Sequence, residues 1–193
     1  MYQQELVNGG TALYDEDIKQ QVLLIYEQYY LDVYHFLLYY TGNQNDTEDL
    51  TQEVFVRVIR SLARYENRAN MKTWLFAIAK HIAIDYHRKK RWKSLFSIDV
   101  LKKHVSSDGL PEKEVESWEE EQELIRAIQK LPQHYRMVVI LRGIQGYSVR
   151  ETASIMDYSE SQVKVTLHRA LKKLEKELAG RIGGELYDGL AKR

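Results

Sequence analysis

The sequence predicts an all-α protein made of two small helical domains joined by a flexible linker, with a helix-turn-helix in the C-terminal domain. The apolar residues recur at helical spacing, and no stretch alternates apolar and polar residues for long. The chain of 193 residues contains only 2 Pro and is 44% hydrophobic. That content is sufficient for one domain of ordinary size or two small ones. A segment of weak periodicity divides the two helical regions and predicts the linker.

The N-terminal domain is predicted to span residues 21–93 and to contain three helices. The first helix should end near Gly42, and its apolar face consists of Val22, Tyr26, Tyr29, Val33, Phe36, Leu37 and Tyr40. Asn45 or Asp46 is placed to cap the second helix. The apolar positions of the second helix are Leu50, Val54, Val58 and Leu62. Thr73 is the predicted N-cap of the third helix.

The third helix has a predicted buried stripe opposite a mostly basic one. The buried stripe consists of Leu75, Ile78, Ala79, Ile82 and Tyr86. The opposite face carries Lys80, His81, Ile84, His87, Arg88 and Arg91. Cations near a helix C-terminus also complement the helix dipole, which is an ordinary explanation for them. The four consecutive basic residues at 88–91 exceed what capping requires.

Residues 94–117 are predicted to be the interdomain linker, because they mix Lys, Asp, Ser, Gly and Pro with little periodicity. The C-terminal domain then covers residues 118–179. Pro132 stands where one of its helices can begin. Residues 1–20 are polar and are predicted to be a tail, as are residues 180–193, which hold four of the 10 glycines.

Two capping boxes eleven residues apart mark the beginnings of two consecutive helices. Ser148 and Glu151 form the first box, and Ser159 and Gln162 form the second. Between them lie a short helix at 152–156 and a tight turn. Such caps also occur in helical hairpins that only pack on a bundle, so the caps alone leave DNA binding undecided.

The residues around the turn have the spacing of two helices that cross at close range. Ala153 lets the helices approach, Asp157 tolerates the left-handed backbone of the turn, and Val163 closes the contact. The second helix directs Lys164, Val165, Thr166, His168, Arg169, Lys172 and Lys173 outward. These side chains suit the base edges, thymine methyls and phosphates of a major groove. Together with the caps, they make a DNA-binding helix-turn-helix the better interpretation.

The formal net charge of zero conceals two basic segments. Residues 57–93 carry a net charge of +9 and residues 164–181 carry +4, so the rest of the chain carries −13. Each segment alone has the ordinary explanation of a solvated helix face. Together with the motifs, they indicate two contacts with a polyanion and an acidic remainder that faces elsewhere.

Several classes of function are excluded or made improbable by composition. The chain has no Cys, which excludes disulfides, thiolate metal sites and thiol nucleophiles. Residues 1–10 lack the pattern of a secretory signal, and no apolar run approaches the length of a bilayer span. A cytoplasmic protein is therefore expected. No His and carboxylate cluster has metal-ligand spacing and no Gly loop could hold a phosphate, so we expect no enzyme, no cofactor and no metal.

The chain resembles the sigma-70 family of RNA polymerase sigma factors, specifically its extracytoplasmic-function (ECF) subfamily. Three blocks in order carry the resemblance, which covers about residues 26–178. Residues 46–58, DTEDLTQEVFVRV, resemble the family's polymerase-docking helix. Residues 73–79, TWLFAIA, with Asp85 and Arg88, resemble its −10 recognition and melting helix. Residues 151–174 resemble its −35 reading domain.

The resemblance implies contact residues for polymerase and for DNA. The polymerase-binding residues would be Asp49, Gln52, Glu53 and Phe55; the alternative is a solvated helix face with Phe55 turned into the core. The −10 residues would be Arg68, Lys72, Lys80, His81 and Arg88. Trp74 is interpreted as a core anchor rather than a base-stacking residue. A contact within the helix between His81 and Asp85 is also plausible.

The −35 element would be contacted by residues of the predicted second helix of the helix-turn-helix, namely Lys164, Val165, Thr166, His168, Arg169 and Lys172. The chain departs from the subfamily's usual residues at Val165, Thr166 and His81, which leaves the promoter sequence open. The partners implied are core RNA polymerase, through its β′ clamp and β flap, promoter DNA and an anti-sigma factor that is often membrane-tethered. No small-molecule substrate is implied.

The function implied is that of an alternative sigma factor, in which the two domains contact the −35 and −10 elements from within one polymerase complex. A conventional helix-turn-helix regulator that binds operators without joining polymerase would explain the C-terminal half equally well. It would leave residues 46–58 and the basic third helix unexplained. Specific binding of an operator by the isolated protein would favour that alternative.

Overall fold

Seven α-helices and one π-helical segment build the protein in the computed structural model, which describes residues 3–65, 70–96 and 112–178. The α-helices are α1 (Gln3–Thr41), α2 (Gln44–Leu62), α3 (Met71–Phe96), α4 (Glu112–Gln129), α5 (Gln133–Val139), α6 (Val149–Met156) and α7 (Glu160–Leu178). The π-helical segment, Ile140–Ile144, continues α5. Because the described residues form helices and no strand, the predicted all-α fold is confirmed.

The first helix begins much earlier than the sequence predicts. α1 begins at Gln3, whereas residues 1–20 were expected to form a tail. This polar segment contains no Pro, so it can extend a helix whose later turns are held by packing. The end of α1 is as predicted: Gly42 adopts a left-handed φ of 66° directly after Thr41.

Two predicted helix caps are wrong by two or three positions. Asn43, rather than Asn45 or Asp46, caps α2, because the Gly42 turn makes Asn43 the first extended residue and its Oδ1 accepts the Asp46 N–H at 2.9 Å. α3 begins at Met71, before the predicted cap Thr73. The Asn70 Oδ1 accepts the Lys72 N–H at 2.9 Å, and Thr73 is buried within the first turn.

The core of the N-terminal domain lies where α2 and α3 pack on α1. Its fully buried side chains include Val33, Phe36, Leu37, Tyr40, Val54, Val58, Leu75, Phe76 and Ala79. Phe36 meets Phe76 edge-on, with ring centroids 5.4 Å apart. The predicted face of α1 is correct from Val33 onward. The predicted face is wrong at Tyr26, which is 42% exposed. The neighbouring Ile25 is the residue that is buried in this turn of α1.

The segment between the two domains is shorter than the predicted linker at both ends. α3 continues to Phe96 and α4 begins at Glu112, whereas the linker was predicted at residues 94–117. Residues 97–111 and the predicted C-terminal tail at 180–193 lie outside the described residues. Pro132 precedes α5 as its N-cap, which confirms the predicted helix beginning there.

The two domains pack against each other and share one continuous cluster of buried residues. α1 contacts α4 and the π-helical segment, and α3 contacts α6. The cluster runs from Ile25 in α1 to Leu178 in α7. None of the described helices offers an apolar stretch of the length that a bilayer requires.

Candidate polymerase and nucleic-acid interfaces

An acidic groove of about 410 Å³ lies between α2 and α3. It is lined by the carboxylates Asp46, Asp49, Glu53 and Asp85, by the cations Lys89 and Lys90, and by apolar side chains that include Leu50 and Ile82. Asp49 and Gln52 are exposed, whereas Glu53 is half-buried. Three of the four residues predicted to bind polymerase therefore lie on one accessible, acidic face of α2.

Internal partners hold three of the groove's four carboxylates. Glu53 pairs with Arg57 at 2.6 Å, Asp85 pairs with Arg88 at 3.0 Å, and Asp46 accepts the Tyr86 hydroxyl at 2.5 Å. Burial and the hydrogen bond to Asp46 both raise the pKa of Tyr86, so its hydroxyl stays protonated and donates.

Asp49 is the carboxylate of this groove that remains available. Among the described residues it has no ion-pair partner. A carboxylate with no ion-pair partner in the described part of the chain, in a groove that also has apolar side chains, suits a cation carried on an amphipathic partner segment.

Phe55 does not belong to this face, and its prediction as a polymerase-binding residue is contradicted by its position. It is only 6% exposed and lies beneath α1, where its ring packs on Tyr26 at 4.8 Å and on Tyr30 at 6.2 Å. The physical reason is the width of the buried stripe on α2, which includes Thr51 one turn before Phe55. The alternative of a Phe turned into the core is therefore correct.

The predicted −10 residues fall into two groups. His81 and Arg88 are exposed on α3, whereas Lys72 and Lys80 are engaged by other parts of the chain. Lys72 pairs with Asp32 at 2.9 Å and its ammonium lies 5.2 Å from the centroid of the Tyr147 ring. Arg68 lies outside the described residues.

Lys80 is buried in this structure, and its contact with −10 DNA stays a prediction. It is only 4% exposed, and its ammonium lies 3.0 Å from Oδ2 of Asp157 in the C-terminal domain. A buried ammonium requires a partner, and the second domain supplies one. Trp74 is half-buried and packs on Tyr65 at 4.8 Å, in agreement with its interpretation as a core anchor.

The two predicted capping boxes are both present. The Ser148 Oγ accepts the Glu151 N–H at 3.1 Å and Glu151 accepts the Ser148 N–H at 2.8 Å. Ser159 and Gln162 make the equivalent pair at 3.2 and 2.8 Å. The hydrogen bonds from Ser148 lower the pKa of Glu151. Local cap chemistry therefore fixes where α6 and α7 begin.

The turn between α6 and α7 has the predicted geometry. Asp157 adopts a left-handed φ of 57°, and the N–H groups of Asp157 and Tyr158 both donate to the Ala153 carbonyl. Ala153 and Val163 are buried at the crossing of the two helices. This arrangement is a helix-turn-helix, with α7 as the recognition helix.

The outer face of α7 is accessible. Lys164, Val165, His168, Arg169 and Lys172 are exposed, and Thr166 is half-buried. Val165 is an apolar side chain, 49% exposed, on an otherwise polar face. The six residues predicted to contact the −35 element thus lie together on one helix, and five of them are exposed.

The residues that join the two domains were not predicted from the sequence. Gln129 and Arg136 of the C-terminal domain donate to carbonyl groups at the end of α1. Arg136 precedes the buried run 137–141, and a cation beside a buried run is a signal that such a side chain has an internal partner. No sequence signal would have identified that partner as a carbonyl 96 residues away.

Two family models match the chain, one for each of its two domains. Residues 25–93 match Sigma-70 region 2, and residues 121–174 match Sigma-70 region 4. The ECF RNA polymerase sigma factor SigX of Bacillus subtilis (strain 168) is 42% identical over 159 residues, which are 80% of this chain and 82% of SigX. SigW of the same strain is 30% identical over 172 residues, covering 85% of this chain and 90% of SigW.

Two solved structures show the same fold. The sigma factor RpoE from Bartonella quintana, in complex with the anti-sigma factor NepR, gives a TM-score of 0.64 at 23% identity, covering 86% of this chain and 99% of RpoE. CnrH in complex with the cytosolic domain of CnrY gives 0.65 at 19% identity, covering 89% of this chain and 96% of CnrH.

The chain belongs to the sigma-70 family, and within it to the ECF sigma factors, whose function is promoter-specific transcription initiation. Its N-terminal domain is region 2 and its C-terminal domain is region 4. This family consists of initiation factors rather than enzymes.

Proposed function

We propose that this chain is an alternative sigma factor that docks on the β′ clamp of core RNA polymerase through α2 and reads the −35 element through α7. The observation that carries the proposal is the presence of both surfaces in one chain. The acidic groove beside α2 contains Asp49, which has no ion-pair partner within the described ranges, and the outer face of α7 is exposed and basic. An operator-binding regulator would need only the second surface.

In the polymerase contact, Asp49, Gln52 and Glu53 supply charge and hydrogen bonding to a basic partner surface. Asp49 supplies the negative charge. Gln52 supplies an exposed amide three residues later on α2. Glu53 is already ordered by Arg57, so it loses little side-chain freedom on binding. Phe55 contributes by holding α2 on α1.

In the −10 contact, basic residues of α3 hold the backbone of the opened non-template strand. His81 and Arg88 are exposed for this role, and Arg68, Lys72 and Lys80 are proposed to join them. Capture of a base outside the stack requires hydrogen-bonding groups beside such cations. His81 is the exposed group of that kind on this face.

In the −35 contact, the residues of α7 divide by chemistry. Lys164, Arg169 and Lys172 are suited to phosphates or to guanine, and His168 and Thr166 to hydrogen bonding with base edges. Val165 is suited to the methyl group of thymine. Linkage of the two DNA contacts through polymerase supplies avidity that neither domain has alone.

The setting of this activity follows from its partners. We place the protein in the cytoplasm, where polymerase and the chromosome are, and propose no cofactor and no small-molecule substrate. We also propose an anti-sigma partner, because the RpoE structure contains the bound anti-sigma factor NepR. In this proposal region 4 additionally contacts the β flap.

Run-off transcription with purified core polymerase and a fragment library from the source genome tests the proposal. Transcripts that require the chain are expected, and their start sites supply the promoter sequence. Asp49→Ala should reduce both transcription and binding to core polymerase. Glu48→Ala is the matched control, because Glu48 is the adjacent exposed acid and lies toward Tyr34 of α1 rather than on the groove.

Absence of transcripts together with specific DNA binding by the isolated chain would overturn the proposal. That combination would establish an operator-binding regulator instead. Equal loss of polymerase binding in Asp49→Ala and Glu48→Ala would remove the assignment of the groove face while leaving sigma activity intact.

A further inference from the structure

The basic run at residues 88–91 is divided between two faces of α3. Residues three, four or seven positions apart share one face of a helix, so Arg88 and Arg91 lie on the side of His81. The proposed function assigns that side to −10 DNA. Lys89 and Lys90 lie on the other side and line the acidic groove between α2 and α3. Half of the run therefore belongs to the surface proposed for polymerase.

Lys90 is held in the groove by three contacts. Its ammonium donates to Oδ2 of Asp46 at 3.3 Å and to the hydroxyl of Tyr86 at 2.6 Å, and it lies 5.1 Å from the centroid of the Tyr86 ring. The Tyr86 hydroxyl itself donates to Asp46 at 2.5 Å. Lys90 thus neutralises one carboxylate of the groove and connects α3 to the first turn of α2.

Lys89 is the basic residue of the groove that has no such partner. Within the described residues no carboxylate lies at ion-pair distance from it, although four carboxylates line the same groove. Three of those carboxylates are paired with other cations of the chain, and Asp49 is the fourth. Internal pairing among the described residues therefore leaves the groove with one unmatched charge of each sign, Asp49 and Lys89.

The two unmatched charges restrict the kind of segment that can occupy the groove. A purely cationic segment would bring like charges together at Lys89, and such a contact disfavours a partner. An amphipathic helix with a cation and a carboxylate three or four residues apart presents both on one face. Its apolar side chains would meet those of Leu50 and Ile82, which line the groove.

We infer that Lys89 determines the specificity of the polymerase contact, and that the groove binds a segment of core polymerase that presents a cation to Asp49 and a carboxylate to Lys89. The inference rests on the proposed function, because it takes polymerase as the partner of the groove. It adds the charge pattern of that partner. It also removes Lys89 from the cations available to −10 DNA.

Titration of purified core polymerase with the full-length chain, read by run-off transcription, separates the two possible roles of a cation on α3. The chain concentration that gives half-maximal transcription reports docking, and the level at saturation reports the later DNA steps. Lys89→Ala should raise the half-maximal concentration about threefold to fivefold, as loss of one exposed ion pair does, and leave the saturated level unchanged. His81→Ala, on the DNA face, should lower the saturated level and leave the half-maximal concentration unchanged.

Charge reversal tests the sign of the partner. Lys89→Glu should weaken docking on the order of tenfold if a carboxylate faces this position, whereas a purely basic partner would bind the variant more tightly. Among core polymerases in which single carboxylates of the β′ clamp are changed to Lys, one is expected to restore docking of Lys89→Glu. Such a rescue would identify the partner carboxylate.

Lys130→Ala is the matched control for the loss of an exposed Lys. Lys130 pairs with Glu177 within region 4 at 2.8 Å, outside the groove, so this variant should change neither quantity. Thermal unfolding should give the same Tm for Lys89→Ala as for the unmodified chain, because the replaced side chain is exposed on a helix.

Unchanged or tighter docking of Lys89→Ala and Lys89→Glu would overturn the inference and leave the sigma function standing. A lower saturated level at an unchanged half-maximal concentration would also overturn it, because Lys89 would then act on DNA. Failure of the unmodified chain to support transcription with core polymerase would instead overturn the proposed function.

Discussion

Val165 is an apolar side chain in a surface made of cations, hydroxyl and imidazole groups, and it is 49% exposed there. Exposure of one Val is ordinary in a soluble protein. On the outer face of a recognition helix, however, the same residue has a natural counterpart in the thymine methyl group. Its position therefore leads to a prediction about a single base.

Val165→Ala should weaken binding of the −35 duplex about fourfold, since it removes two methyl groups, and loss of the one that we expect to meet the thymine methyl costs about 0.8 kcal/mol. Fluorescence anisotropy with a thymine-containing duplex and with duplexes carrying uracil at single positions measures the effect. One uracil substitution should weaken the unmodified chain but not the variant. Equal sensitivity of the two proteins to every uracil would contradict this assignment.

Glu151 makes the stability of region 4 depend on pH. Its pKa is lowered by the hydrogen bonds from Ser148, so the charged form is the one that folding favours. The resulting stability is present above the unfolded pKa of about 4.5 and is lost as pH falls through the lower folded value. Glu151→Gln should therefore lower Tm at pH 7, with a difference that shrinks in acid.

Thermal unfolding between pH 7 and pH 3 measures this difference. The loss in Glu151→Gln should be below about 1 kcal/mol, as is usual for a helix cap. Glu175→Gln changes an exposed acid late in α7 and serves as the control. A Glu151→Gln difference that stayed constant down to pH 3 would show that charge is not its cause.

At the scale of the elements, the pairing of α1 with α2 depends on Phe55 more than on any charged residue of the groove. Phe55→Ala should lower the free energy of unfolding by about 3–5 kcal/mol, because a buried ring is lost and a cavity remains. Val56→Ala, at the neighbouring position that is 43% exposed, should change it by less than about 0.5 kcal/mol.

Urea unfolding of both variants measures these differences. A Phe55→Ala protein that is as stable as the unmodified chain and yet fails to bind core polymerase would return Phe55 to the docking surface. Loss of both stability and binding is the expected result.

Elements governed by local chemistry could be predicted from the sequence, and elements governed by context could not. The capping boxes at Ser148 and Ser159 and the turn at Asp157 depend on neighbours within four residues, and all three were predicted. The cap at Asn43 was missed because only the left-handed turn at Gly42 makes Asn43, rather than Asn45 or Asp46, the extended residue before α2. The burial of Phe55 could be given only as an alternative, because the side of α2 that is buried depends on the position of α1.

At the scale of the whole molecule, Gly42 allows the two domains to approach closely because it has no side chain. Its φ of +66° is left-handed, and an added Cβ would lie 2.9 Å from Cγ of Gln129. Gly42→Ala should therefore cost about 1–2 kcal/mol through backbone strain. A further loss should follow from displacement of Gln129 and of its bonds to Tyr39 and Tyr40.

A double-mutant cycle separates the two contributions. In the Gln129→Ala background, Gly42→Ala should cost less than it does in the unmodified chain, because only the backbone strain remains. Differential scanning calorimetry of the four proteins measures the free energies. Strictly additive losses would show that Gly42 and Gln129 do not interact.

Whether each candidate site residue is exposed or buried was the property hardest to predict from the sequence. The types of residue at 72 and 80 indicate DNA contact, and the burial of Lys80 depends on Asp157, 77 positions later in the chain. Sequence periodicity contains no information on such a pair. The accessible face of α7 was predicted because one helix determines it alone.

We expect the Lys80–Asp157 pair to affect the competition between the chromosome and polymerase for the free protein. Non-specific affinity for duplex DNA grows with the number of phosphates that a protein neutralises, and it falls with salt in the same proportion. A chain that keeps Lys72 and Lys80 occupied internally offers fewer cations to bulk DNA. Fewer molecules are then retained on the many non-promoter sites of a genome, and more remain free to meet polymerase.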